Sequence, residues 1–223
     1  IPSDFYKKGE TVRAVIEKVD FKGSKPLIIV SRTAPKFLEK LLELEIPEIQ
    51  DGTIMLKKVV RIPGEKAKIA VDAYDDRIDP VGACVGVKGS RIHGVVRELR
   101  NENIDVIQWS KNPEIMVKRA LGNVTINKIE INIERNYALV FTPIEEISRV
   151  IGKQGQNIRL ASWLSGFEID VHREVEREDV ELTEFGDEIQ EWIIKEFTKI
   201  GLNTARSILD KDTDALLKMV DLE

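Results

Sequence analysis

Val12, Ala14 and Ile16 alternate with polar neighbours, and Leu27-Ile28-Ile29-Val30 follows as an unbroken apolar run. Period two and a short apolar run are strand signals, and Lys22-Gly23-Ser24-Lys25-Pro26 between them is a turn signal. Residues 1–33 are therefore expected to be strands, with Leu27–Val30 buried. Two or three strands cannot close a barrel, and an isolated hairpin is marginal in water. The segment is expected to be the end of a β domain whose beginning lies outside the chain.

The period then changes to that of a helix. Pro35 can open a helix at its first turn, Phe37, Leu38, Leu41 and Leu42 repeat with helical spacing, and Pro47 stops the run. Strands are expected over Ile54–Ile62 and Lys66–Ala73, with Pro63-Gly64 as the turn. Asp79-Pro80 begins a short helix ending at Gly86, a helix follows from Ser90 to near Arg100, and Ile104–Ile107 makes a third strand. The same order recurs. A helix is expected over Pro113–Leu121 and a strand through Ile129, Ile131 and Ile133. A turn at Asn136 and a strand over Ala138–Phe141 follow. Helices over Ile144–Ile151 and Gln156–Ser165, the second stopped by Gly166, precede a last strand through Phe167, Ile169 and Val171. Beyond it, Val175–Leu182 is charged and expected to be exposed. Ile189, Trp192, Ile193 and Phe197 read as an amphipathic helix, Gly201–Ala205 turns into another with Ile208 and Leu209, and Leu216, Leu217 and Val220 make a last one.

Each of the two α-β-β-α-loop-α-β runs carries one short motif at the same place. The first is Val85-Gly86-Val87-Lys88-Gly89-Ser90-Arg91-Ile92 and the second is Ile151-Gly152-Lys153-Gln154-Gly155-Gln156-Asn157-Ile158. Glycine is common enough that a chain of this size shows about one Gly-x-x-Gly by chance. Two copies with matching flanks, inside matching elements, are much harder to ascribe to chance; the plainer alternative is that they are ordinary glycine turns between helices. Missing Cβ atoms let a phosphodiester backbone approach, and the helix that follows offers free N–H groups and a positive dipole end. Lys88, Arg91 and Lys153 add charge that phosphates can share. The residues expected to meet RNA are Gly86, Val87, Lys88, Gly89, Ser90, Arg91 and Ile92 in the first loop. In the second they are Gly152, Lys153, Gln154, Gly155, Gln156, Asn157 and Arg159. Ile92, Val95, Ile158 and the strands would supply an apolar groove that clamps about four nucleotides of single strand.

The net charge of −5 argues against nucleic acid until its distribution is read. Residues 174–223 hold fifteen acids and six bases, so residues 1–173 carry a net +4. An acidic tail masks a basic body, and the two parts are expected to meet different partners. No apolar run is long enough to cross a bilayer, and no signal peptide is evident. The single cysteine, Cys84, excludes an internal disulfide, fits a reducing compartment, and is expected in a core. Gly82–Ser90 lacks the Gly-Lys-Ser/Thr ending of an NTPase phosphate loop. Asp72, Asp75, Asp76 and Asp79 miss the calcium-loop spacing and read as a solvated loop with a helix cap at Asp79. His93 and His172 are too sparse for a metal cluster, and Trp109 and Trp163 could stack on bases or pack in cores. No catalytic group, cofactor or metal is expected.

Several stretches resemble one family. Ile62-Pro63-Gly64, Lys68-Ile69-Ala70-Val71, Asp79-Pro80-Val81-Gly82-Ala83-Cys84-Val85-Gly86, Gly89-Ser90-Arg91-Ile92 and Glu102-Asn103-Ile104-Asp105-Val106-Ile107 resemble the first KH domain of the bacterial NusA transcription factors. Ile151–Ala161 resembles the second KH loop of that family. Ser31–Pro35 and Glu45–Ile49 resemble its junction with an OB-type (S1 motif) barrel. The resemblance covers roughly residues 27–173, and Asp79–Gly86 is its most specific part.

The fold class implied is α+β: the end of an OB-type barrel (1–34), two prokaryotic-type (type II, α-β-β-α-α-β) KH domains (35–111 and 112–174), and an acidic, partial helical segment resembling a helix-hairpin-helix (175–223). The function implied is that of a cytoplasmic, non-enzymatic, monomeric RNA-binding elongation factor. It would bind nascent single-stranded RNA and modulate pausing, termination and antitermination. Its partners would be RNA polymerase, through parts partly outside this chain, and other elongation factors, with no membrane. The alternative is a KH/OB-containing RNA-processing or ribosome-associated protein. Phosphorolytic exoribonucleases combine the same domains, but there a catalytic core precedes KH and barrel.

Overall fold

The computed structural model describes residues 1–173, 180–209, 211 and 216. The chain divides into two compact bodies, Ile1–Glu174 and Val175–Glu223.

The first body opens with an antiparallel ribbon, β1 (Val15–Lys22) and β2 (Lys25–Ser31). The strands are where the alternation puts them, but their burial is not. Ile16, Val19, Phe21, Leu27, Ile28 and Val30 are exposed, and no barrel is formed among the described residues. An apolar run forms a core only when a second surface covers it, and a two-stranded ribbon supplies none. At the ribbon's end, the Arg32 guanidinium donates to the Asp4 carboxylate (2.8 Å), the Glu98 carboxylate (2.8 Å) and the Glu98 carbonyl (2.9 Å). It also lies 4.8 Å from the Phe37 ring centre.

Two repeats follow. In the first, α1 (Pro35–Glu45) begins on its proline and buries Phe37, Leu38, Leu41 and Leu42. Pro47 ends it but also opens a short helix, α2 (Pro47–Gln50), which the periodicity did not foresee. Next come β3 (Ile54–Ile62), β4 (Lys66–Ala73), α3 (Pro80–Val85), α4 (Ser90–Glu98) and β5 (Asn103–Gln108). The Asp79 carboxylate caps α3 by accepting the Val81 N–H at 3.1 Å. The second repeat is α5 (Pro113–Leu121), β6 (Lys128–Asn132), β7 (Tyr137–Thr142), α6 (Ile144–Ile151), α7 (Gln156–Ser165) and β8 (Glu168–Arg173). Each sheet has the same topology: an antiparallel pair, β3-β4 or β6-β7, and a third strand parallel to its middle one.

The repeats are packed together, not strung on a linker. One face of the first sheet covers its own core with Ala67, Ile69 and Val71, beside buried Cys84, Val95 and Leu99. Val60, Ala70 and Ile107 instead join the core of the second repeat, with Met116, Val117, Leu160 and Leu164. Lys68 lies two residues before Ala70 and so on the same side of the sheet. It is wholly buried, and its ammonium bonds the Asp105 carboxylate at 2.7 Å, which Lys66 also reaches at 2.8 Å. Behind it, Arg61 and Glu102 form a buried two-bond ion pair at 2.9 and 2.6 Å. Arg61 also donates to the Arg32 carbonyl at 2.9 Å, and Glu102 accepts the Gly64 N–H at 2.7 Å.

In the second body, a turn over Leu182–Phe185 precedes α8 (Glu191–Lys199) and α9 (Ala205–Leu209), around buried Leu182, Ile194 and Leu202. Leu182 was expected to be exposed with its charged neighbours; it is instead held by bonds between the 180–182 and 203–205 backbones. The last element, read from Leu216, Leu217 and Val220, falls outside the described residues except for Leu216.

Candidate nucleic-acid interface

Helix α3 ends at Gly86 and helix α4 begins after Gly89; α6 ends at Gly152 and α7 begins after Gly155. The two turns are backbone copies. Gly86 and Gly152 both have φ 73° and ψ 172°. Lys88 has φ 51°, ψ 30° and Gln154 φ 52°, ψ 28°; Gly89 has φ 78°, ψ 15° and Gly155 φ 71°, ψ 15°. In each, the second glycine's N–H donates to the first glycine's carbonyl at 3.1 Å.

The first glycine of each pair cannot be replaced at no cost. Positive φ with ψ near 180° is a region reserved for glycine. A Cβ on Gly86 would meet Arg91 Cγ at 2.9 Å, and one on Gly152 would meet Asn157 Cβ at 2.6 Å and its N at 3.0 Å. Neither α4 nor α7 has a side-chain cap at its start. The Ser90 and Gln156 N–H groups donate back to the Val87 and Lys153 carbonyls; the first-turn N–H groups beyond them have no side-chain cap, and an anion fits them.

The site residues read from the sequence divide into two groups. Val87, Lys88, Ser90, Lys153, Gln154 and Arg159 are exposed around the turns. Val87 is 83% exposed, although apolar. Lys88 and Lys153 have no hydrogen-bond or ion-pair partner among the described residues and stand free to meet phosphate. The cation occupies the left-handed position in the first loop and the position before it in the second. Arg159 donates to the Gln154 carbonyl at 3.1 Å, and the His93 ring takes the matching place beside Gly89. Four residues are turned inward or sideways. Ile92 and Asn157 are buried, Arg91 pairs with Glu48, and Gln156 donates to the Glu65 carboxylate of the first repeat. Val95, assigned to an open groove by its spacing, is wholly in the core, because α4 turns that face to the sheet.

Beside the second loop lies a cleft of about 510 Å³ whose walls come from both repeats: Lys66, Asp105, Arg149, Lys153, Gln156 and Asn157 among them. Burial raises the Asp105 carboxyl, and the Lys68 and Lys66 ammonium groups more than reverse it, so its pKa lies below the ordinary value. Lys66 had no local signal that would bring it here; only the packing of one sheet on the next repeat does. Trp109 packs against the second core, whereas Trp163 on α7 is 48% exposed. Cys84 is buried, which pushes its thiol up to about 11. Among the described residues, no group of His, Cys, Asp and Glu is placed to hold a metal ion, and no helix is long and apolar enough to cross a membrane.

Two α-β-β-α-α-β repeats, each with a Gly-x-x-Gly turn between helices, define a tandem KH protein. A family model for the NusA-like first KH domain matches residues 32–109, and one for the NusA-like second KH domain matches residues 113–179. The chain belongs to the NusA family. It is 43% identical over 184 residues to the transcription termination/antitermination protein NusA of Halalkalibacterium halodurans, covering 82% of this chain and 48% of that one. It is 41% identical over 180 residues to the Bacillus subtilis protein of the same name, covering 81% and 48%. It is 34% identical over 235 residues to that of Rickettsia conorii, covering 100% and 47%. The chain thus spans about half the length of the curated relatives it matches.

Proposed function

We propose that this chain is the RNA-gripping part of a transcription elongation factor, a non-enzymatic protein that holds single-stranded nascent RNA and modulates pausing, termination and antitermination by RNA polymerase. The observation that carries the RNA contact is the paired turn. Two loops with the same dihedral angles each place a free lysine and an uncapped helix start where a phosphodiester backbone can approach. The polymerase context rests on the named relatives, which are termination/antitermination proteins. In this reading the KH domains, of prokaryotic type, span 35–111 and 112–174, the ribbon through residue 34 is the end of an OB-type barrel, and the acidic segment from 175 meets a protein. The contacts to phosphate come from Gly86–Ser90 and Gly152–Gln154, with Arg159 alongside. A cytoplasmic location and the monomeric state belong to the same proposal.

The test is a pair of charge reversals. Lys88→Asp and Gln154→Asp place carboxylates where phosphate should sit. Each is expected to weaken binding of a short single-stranded RNA in a fluorescence anisotropy titration, and the double variant to abolish it. Unchanged affinity in the double variant sinks the loop assignment.

A further inference from the structure

The backbone of the two turns raises a question of hydrogen-bond supply. The last carbonyls of a helix have no partner within it. Many helices resolve this with a glycine in the left-handed well, which folds the chain back over its own carbonyls; Gly166 after α7 does so, at φ 83° and ψ 10°. Gly86 and Gly152 do not, because their ψ of 172° sends the chain straight on toward the next helix. A donor for the stranded carbonyls has to come from elsewhere.

It comes from the same place in both repeats, five residues past the first glycine. Arg91 Nη1 donates to the carbonyl of Ala83 at 2.7 Å. Asn157 Nδ2 lies 3.4 Å from the carbonyl of Arg149 and donates to that of Val150 at 3.0 Å. Ala83 and Arg149 both stand three residues before the first glycine of their loop. Each side chain then takes one further partner from the helix that opens its repeat or adjoins it. Arg91 bonds both oxygens of the Glu48 carboxylate in α2, at 2.9 and 2.8 Å, and Asn157 donates to the Leu121 carbonyl at the end of α5, at 2.9 Å.

We infer that Arg91 and Asn157 are positioning residues that set the two Gly-x-x-Gly turns by tying the end of one helix to the start of the next, and that neither touches RNA. The inference rests on the RNA-binding reading above and assigns these two residues a role different from the loop tips. The same position is filled by an ionic clamp in the first repeat and by a neutral, buried one in the second. What the fold requires there is a donor that reaches back, not a charge for phosphate.

A contact to phosphate and a positioning role differ in salt dependence. Each phosphate neutralised on a single strand contributes about 0.7 to the slope of log affinity against log salt. With the full chain and a short labelled single-stranded RNA, anisotropy titrations across a KCl series are compared for Asn157→Ala, Glu48→Gln/Arg91→Gln, Lys88→Ala and Lys153→Ala. The lysine variants are expected to reduce the slope by about 0.7 each. The two clamp variants are expected to lose affinity with the wild-type slope, about tenfold for Asn157→Ala, which removes one satisfied buried donor, and less for the more exposed Glu48–Arg91 pair. A slope reduced by about 0.7 in the Arg91 variant, or affinity unchanged in both clamp variants, overturns the inference. If Asn157→Ala does not fold, the decision passes to Glu48→Gln/Arg91→Gln, whose parent side chains are 31% and 35% exposed. If the lysine variants leave the slope unchanged, the RNA reading itself has failed. Amide chemical shifts of Gly86–Gly89 in the Glu48→Gln/Arg91→Gln variant then decide positioning: displaced shifts support it and unmoved shifts reject it.

Discussion

The two repeats share a backbone and differ in almost everything chemical around it. The first loop carries Val87-Lys88 and is clamped by an arginine; the second carries Lys153-Gln154 and is clamped by an asparagine. The first sheet has Lys68 and Ala70 on the side that the second repeat covers, whereas the corresponding places on β7 are Leu139 and Phe141, which do not belong to that shared core. Glu102, just before β5, is buried with Arg61; Phe167, just before β8, is partly buried among apolar neighbours. The lesson is that the turn geometry is fixed by two glycines and one reaching-back donor. The residues at its tip and the polar contents of the sheet are free to vary with what each repeat has to touch.

The largest expected effect breaks the comparison at the ion pair that the first repeat has and the second lacks. Glu102→Ala strands the Arg61 guanidinium in the core and should cost about 3–5 kcal/mol. Urea denaturation would measure it, and the double change Arg61→Met/Glu102→Leu should recover much of the loss, since an apolar pair is what the second repeat tolerates at this place. Next come the first glycines. Gly86→Ala and Gly152→Ala should each cost about 1–3 kcal/mol through the forced backbone. Gly152→Ala should be the worse, because its new methyl meets Asn157 Cβ at 2.6 Å and its N at 3.0 Å, whereas one on Gly86 meets Arg91 Cγ at 2.9 Å and its N at 3.2 Å. Equal thermal shifts for the two would show that packing against the following helix does not matter.

The smallest expected effect concerns acid. Asp105 is partly buried, which raises its carboxyl, and two lysines lower it further than burial raises it. Its folded pKa therefore lies below the unfolded value of about 3.9. The folded state holds fewer protons, so the stabilisation is complete above about pH 3.9 and is lost as pH falls through the folded pKa. Asp170 stands at the corresponding place on β8 with its carboxyl also lowered. Burial again acts upward first, and hydrogen bonds from His172 and Tyr137 reverse it, but its side chain is 55% exposed. Acid unfolding followed by circular dichroism should become flatter below pH 4 in Asp105→Asn and change little in Asp170→Asn. The opposite ranking would mean that the interface between repeats is not where the charge is held.

Much of this molecule was legible in the chain. The bounds of β3, β4, α5, α6 and α7 are those the periodicity, prolines and glycines imply, and the Asp79 cap and buried Cys84 follow from local chemistry. So did the existence of two loops at matching places. The exposed ribbon was misjudged because apolar character does not reveal whether a covering surface exists. Arg91 and Asn157 looked like loop residues because each is two positions past the second glycine. Their side-chain directions, set by the turn, send them back to the preceding helix.

Spacing alone determined the repeat, the turns and their lysines, since each depends on residues within one or two helical turns of each other. Tertiary structure decided the rest: the first sheet covering the second core, Lys68 lying buried against Asp105, Glu65 meeting Gln156, and Lys66 standing beside a loop from the other repeat. These join residues far apart in the chain, and no local pattern carries the energy of a surface that exists only once both repeats have folded against each other.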